Sequence, residues 1–138
     1  MNTVDNQSPL RYFERYRWYL QALNSKNAEF AKIKADISSG LISRDTYDEN
    51  WQRKLRREIR ILKRAINSIE FTINSIPETL DMLPCKLFLH LHYVVGLNMT
   101  ETAEKLNVSE STVRRLRSRA EDYFKDIPLD TQKNKGEA

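Results

Sequence analysis

Twice in this chain, apolar side chains recur at spacings of three and four, and few breakers interrupt them. The first series is Phe13, Tyr16, Leu20, Leu23, Asn27, Phe30, Lys34 and Ile37, with Ile33 able to stand in for Lys34 on the same face. This is a heptad pattern with two polar interruptions. Ser8 and Pro9 supply a cap and a proline at the first helical position, and Gly40 supplies a left-handed stop. The spacing predicts a helix from Pro9 to Ser39, ~45 Å long at 1.5 Å per residue. Such a helix cannot hide its own stripe and needs a partner. Asn27 either fixes register inside the seam or lies exposed at its edge.

The second series, Tyr47, Trp51, Leu55, Ile59, Leu62, Ile66, Ile69, Ile73 and Ile76, predicts a helix from Arg44 to Ile76. Ser43 is its expected cap, with Asp45, Asp48 and Glu49 in the first turns, where negative charge suits the helix dipole. A short turn between two long helices favours an antiparallel hairpin over 8–76, and the same seam could also join two chains. Only 3 Gly and 4 Pro occur in 138 residues. The fold class expected is all-α: a long, coiled-coil-like N-terminal hairpin followed by a small three-helix domain.

Pro77 and Pro84 bracket the one expected boundary, a linker over 77–84. Beyond it, Leu87, Phe88, Leu91 and Val94 predict a short apolar helix over Cys85–Val95 that Gly96 ends. Leu97 to Phe124 then reads as two helices around one tight turn. Asn98 and Glu101 have the spacing of a capping box, Asn107 tolerates a left-handed backbone, and Ser109 caps the second helix. Val113, Leu116 and Ala120 face inward, which leaves Arg114, Arg115, Arg117 and Arg119 mostly outward. The pattern is that of a helix-turn-helix whose second helix enters the major groove of DNA. This domain is expected over 85–127. The polar tail 128–138 is expected to be disordered, and residues 1–7 mobile.

Near the start of that helix, Glu110, Ser111, Arg114, Arg115 and Ser118 are placed to reach base edges. Lys105, Ser109, Thr112, Arg117 and Arg119 are placed for phosphates, where they add affinity without sequence information. A second basic patch, Arg53, Lys54, Arg56, Arg57, Arg60, Lys63 and Arg64, is opposed only by Glu58. For a charge run the default reading is a solvated face; the alternative is a phosphate-contacting surface or a dock for an acidic protein.

No catalytic constellation is present, and an enzyme is not expected. His90 and His92 are two apart on a helix and do not face each other. With the single Cys85 they cannot assemble a four-ligand zinc site, so no metal or cofactor is expected. The net charge of +4 and pI near 9.2 permit nucleic acid as a partner. No apolar run approaches the ~20 residues of a membrane span, and the N-terminus lacks signal-peptide features. A cytoplasmic protein is expected.

Leu83-Pro84 through Ala120 resembles the region-four domain of bacterial sigma factors. The likeness runs through the LP pair, LHYVVGL, the Ala103–Leu106 spacing, NVSESTV and RSRA. It implies a last helix that reads promoter DNA. Thr102 departs from the branched apolar residue usual there. No region-two sequence accompanies the domain, so a complete sigma factor is not expected. The layout, a long helical segment followed by this domain, also resembles phage and prophage regulators of the ArpU and RinA type. That resemblance implies an activator of late phage genes.

The function expected is therefore a sequence-specific transcriptional regulator that binds double-stranded DNA as a homo-oligomer, the dimer first. Alternatives are a small terminase subunit that packages DNA, or an interaction protein that docks on RNA polymerase. The terminase order is usually the reverse, DNA-binding domain first.

Overall fold

A computed structural model describes residues 8–42 and 49–129. They form helices α1 (Arg11–Glu14), α2 (Tyr16–Ser39), α3 (Glu49–Asn74), α4 (Leu83–Leu89), α5 (Met99–Leu106) and α6 (Glu110–Phe124). After α4 the chain continues as a π-helix over His90–Val95. No strand occurs among the described residues, and the all-α class is as expected. Ser43, Asp45, Tyr47 and Asp48, residues 1–7 and most of the polar tail lie outside the described residues.

The chain groups into two compact units. One is Trp18–Ile66; the other joins Met1–Arg17 to Asn67–Ala138. This grouping does not coincide with the expected division of 8–76 from 85–127. Residues 77–84 lie inside the second unit.

Within Trp18–Ile66, α2 and α3 run antiparallel. Lys26 Nζ meets Glu58 Oε1 at 2.9 Å, and the Arg56 guanidinium lies over the Phe30 ring at 5.4 Å. As numbers rise on one helix they fall on the other. The Lys26 ammonium holds the Glu58 carboxyl below its ordinary value. Leu55, Ala65 and Ile66 are buried, whereas Leu20, Leu23, Phe30, Ile33 and Ile37 are only half-buried. Asn27 is exposed, at the seam's edge. Gly40 ends α2 at φ +84°, and the amides of Leu41 and Ile42 bond back to the Asp36 carbonyl.

The other unit is built on α4, α5 and α6. Cys85, Phe88, Leu89, Tyr93, Ala103, Val113, Leu116, Ala120 and Phe124 form its core. Ile69, Ile73 and Ile76 from the end of α3 are buried in the same unit. So are Leu10, Tyr12, Phe13 and Tyr16 from the start of the chain. Phe13 packs 5.3 Å from Phe124 and 5.8 Å from Tyr93, ring centre to ring centre.

Polar contacts pin this N-terminal segment. Ser8 Oγ donates to Glu121 Oε2 at 2.8 Å, the Tyr12 and Ser68 hydroxyls share a bond at 2.6 Å, and the Tyr16 hydroxyl donates to Glu70 Oε2 at 2.5 Å. Arg17 Nη1 donates to the carbonyls of Val94 and Val95 at 3.1 and 3.3 Å, free acceptors at a helix end.

The helix expected from Pro9 to Ser39 is thus interrupted at Arg15. Leu10, Tyr12, Phe13 and Tyr16 are all buried, and on one straight helix they would span about 160° of its circumference, wider than a narrow seam. The tight turn 8–10, with Phe13 N–H bonded to the Leu10 carbonyl at 2.9 Å, lets all four apolar residues face one core.

The apolar face expected on Cys85–Val95 is also shifted. Leu87 is 43% exposed, while Leu89 and Tyr93 turn inward beside Phe88. The π-helix begins at His90, after Leu87 and Leu89, and with more residues per turn it shifts only the side chains from there on, Tyr93 among them. Gly96, at φ +94°, closes it as expected. Lys86 Nζ donates to the carbonyls of Asn74 and Ile76 and pairs with Glu78, closing the C-terminal end of α3.

Candidate nucleic-acid interface

The turn between α5 and α6 is built from short-range bonds. Asn98 Oδ1 accepts from the Glu101 amide at 2.8 Å, and the Asn98 amide donates to Glu101 Oε1 at 3.0 Å, the reciprocal capping box expected. Asn107 takes the left-handed conformation at φ +61° and is the only non-glycine residue with positive φ among those described. The Val108 amide then reaches back to the Ala103 carbonyl at 3.0 Å. Ser109 Oγ accepts from the Thr112 amide at 3.2 Å and starts α6.

Thr102 is fully buried and keeps its hydroxyl satisfied by donating to the Asn98 carbonyl one turn back, at 2.7 Å. That local bond explains how a polar residue occupies a position where the resemblance has an apolar one.

Burial of Val113, Leu116, Ala120 and Phe124 orients α6. At about 100° per residue the opposite face is centred on Ser111, Arg114, Arg115 and Ser118, with Glu110 at its margin. All five side chains expected to reach base edges are exposed. Glu110 is not idle, since Thr100 Oγ1 donates to its Oε2 at 3.0 Å and ties α5 to α6. Arg115 Nη2 donates to Thr112 Oγ1 at 3.1 Å, which holds the guanidinium along the first turns of the helix.

The expected phosphate contacts divide. Lys105, Ser109 and Arg119 are exposed; Thr112 and Arg117 are half-buried. Arg119 Nη1 donates to the Asp81 carbonyl at 3.2 Å, and the Arg119 charge works against the upward push that burial gives the Cys85 thiol. Arg117 lies at the margin of the core, where its charge acts on Tyr93. Burial nevertheless pushes Tyr93 up to about 12, and its hydroxyl has no partner among the described residues. Arg117 was expected mostly outward, but at about 100° per residue it falls about 20° from Phe124 and about 40° from Val113, so helix spacing itself puts it at the edge of the buried face.

Asp122 is a further charged group on this helix, outside the residues expected to contact DNA. It is exposed on the same face of α6, about one turn beyond Ser118. A carboxylate there repels phosphate, so the stretch of this face without an acid at its centre covers only the first three turns of α6. Helix periodicity alone could have shown this, since Asp122 follows Ser118 by four residues.

The remaining polar groups are structural in character. His92 Nδ1 lies 2.7 Å from the Leu97 carbonyl, so it donates there, and its ring stacks on Phe88 at 5.4 Å. His90 is exposed. No group of three or more potential metal ligands occurs among the described residues, and none of their helices is long and apolar enough to cross a membrane.

An open apolar cleft of about 480 Å³ borders α6, lined by Leu83, Pro84, Leu87, Leu106 and Leu116 with Arg115 and Arg119 at its rim. It lies within the same unit as the helix-turn-helix.

No curated protein and no solved structure matches the chain significantly. Residues 86–122 match the family model described as Sigma-70, region 4. The match spans roughly a quarter of the chain and covers α5, the turn and nearly all of α6. This part of the protein is similar to sigma region four, a likeness that supports a DNA-binding, transcription-related helix-turn-helix.

Proposed function

We propose that this protein is a sequence-specific, non-catalytic transcriptional regulator whose α6 reads the major groove of promoter DNA. The observation that carries the reading is the face of α6 itself. Ser111, Arg114, Arg115 and Ser118 project together from a helix whose start, preceding turn and buried side are each set by independent contacts. Arg114 and Arg115 are the base readers, each able to make a bidentate contact with guanine. Footprinting on promoter fragments from the host tests this. A defined protected segment is expected, and Arg114→Ala with Arg115→Ala should broaden it into weak, sequence-indifferent binding. An unchanged footprint in the double variant would reject those two residues as readers.

The regulator acts as a dimer in this reading. Leu20, Leu23, Phe30, Ile33 and Ile37 stay half-exposed when the hairpin closes within one chain, and a second copy would cover them. A dimer presents two reading helices to two half-sites. Activation of late phage or prophage genes is the finer reading, supported by the layout of a long hairpin with this domain. Deletion of the gene should then silence one late transcript whose promoter is footprinted. A ring of eight or more copies would instead favour the packaging reading. The second reading, contact with RNA polymerase, is favoured by the apolar cleft beside α6. Polymerase binding without any promoter footprint would make it the primary one.

A further inference from the structure

The unit that carries the helix-turn-helix holds no net attraction for a polyanion. Counted over the whole sequence, the residues outside Trp18–Ile66 comprise twelve bases and thirteen acids, a net −1. On α6 four arginines are opposed by Glu110, Glu121 and Asp122. The hairpin unit Trp18–Ile66 carries eleven bases and six acids, a net +5, which exceeds the +4 of the entire chain. Its excess is concentrated between Arg53 and Arg64, where seven bases face one acid.

Folding sorts these charges onto one side of α3. At about 100° per residue, Arg53, Arg56, Arg57, Arg60, Lys63 and Arg64 fall within about 120° of the helix circumference. That arc lies opposite Leu55, Ile59, Leu62 and Ile66, which are buried or half-buried, and every basic residue on it is exposed. The one acid, Glu58, is turned off the arc and paired with Lys26 on α2 at 2.9 Å. Lys54 also lies off the arc. At one edge, Arg56 is held over the Phe30 ring. Arg53 and Arg64 also have contacts within the chain.

A face meant only for solubility mixes charge signs, because like charges at i, i+4 weaken a helix. Here Arg53–Arg57, Arg56–Arg60 and Arg60–Arg64 are all like pairs at that spacing. No aromatic side chain interleaves with the arc, so bases would find nothing to stack on. A row of charge without stacking groups suits a phosphate backbone. From Arg53 to Arg64 it extends about 16 Å at 1.5 Å per residue, against one phosphate per ~1.7 Å of duplex axis.

We propose that the basic face of α3 is the main phosphate-binding surface of this protein and that it takes the backbone of duplex DNA, independent of sequence. That the polyanion is DNA, not another acidic partner, rests on the reading of α6. The division is then that α6 selects and α3 attracts: most of the salt-dependent affinity belongs to the hairpin, most of the sequence preference to α6.

The test is fluorescence anisotropy with the full chain and a random-sequence duplex, between about 50 and 200 mM salt. Arg57, Arg60 and Lys63 are replaced together by Gln, and separately R57K/R60K is made. Each phosphate contact contributes a salt slope of about 0.9, so losing three should lower the slope by about 2 to 3 and weaken binding about a hundredfold near 0.1 M salt. R57K/R60K should bind like the parent, since a phosphate reads the charge. Unchanged affinity and slope in the Gln variant, with its helical circular dichroism intact, overturn the proposal and leave the face to solvent or an acidic protein. Loss of affinity in R57K/R60K as well overturns it too, because a purely electrostatic surface tolerates that exchange.

The reading of α6 fails separately. It fails if R114A/R115A keeps full preference for the footprinted site over the random duplex, whatever α3 does. No binding of the parent to either duplex overturns both.

Discussion

Single side chains in the helix-turn-helix carry measurable amounts of its stability, and they do so through local geometry. Asn107 holds a left-handed backbone that a β-branched residue resists. Asn107→Val should destabilise the domain by about 1–2 kcal/mol and Asn107→Gly should not, as read by thermal melts. Tyr93 presents the opposite case. Its hydroxyl is buried without a partner among the described residues, an arrangement that costs about 1–3 kcal/mol. Tyr93→Phe is therefore expected to raise the melting temperature. Burial first, then the bond to Glu70, lifts the Tyr16 hydroxyl to about 12, and burial does the same for Tyr93. Both are raised above the unfolded value of 10.0, so the folded state favours the protonated forms. Their contribution is complete below pH 10 and is lost as pH rises towards 12. Alkaline melts should show stability falling in that window, and Tyr93→Phe should shallow the fall.

At the scale of elements, the join between the start of the chain and α6 matters most. Phe13 is fully buried against Phe124 and Tyr93, and Ser8 bonds to Glu121 on α6. None of these side chains is on the DNA-suited face. Phe13→Ala should nevertheless cost about 3–5 kcal/mol, because it opens a cavity in the core that orients α6. Hydrogen exchange of the Ala120–Phe124 amides should accelerate in that variant, while those at the start of α3 should not change. Equal exchange throughout α6 in parent and variant would show that the N-terminal segment does not support the helix.

For the whole molecule, the separation of charge is the main property. Net charge of +4 gives no hint that one compact unit is mildly acidic and the other strongly basic. In the division of roles proposed above, sequence preference and electrostatic attraction would lie in different units, and each could vary without the other. The half-buried seam of the hairpin adds a further expectation: sedimentation equilibrium should give a dimer, and Leu23→Asp with Ile33→Asp should shift it towards monomer. A monomeric parent would remove the basis for two half-sites.

Everything held by contacts between near neighbours is legible from residue types alone. The capping box of Asn98 and Glu101, the left-handed Asn107, the Ser109 cap and the glycine stops are all bonds within six residues, so their residue types suffice to name them. Helical periodicity likewise determined which side of α6 is buried and which side holds Arg114 and Arg115. The tertiary structure decided what depends on distant partners. Phe13 looks like one more seam residue until Phe124, more than a hundred residues later, meets it in one core. Leu87, expected inward, is exposed before the π-helix begins, and Tyr93 is buried within it, where the period changes. Periodicity reports a face relative to its own axis, and only packing tells what that face meets.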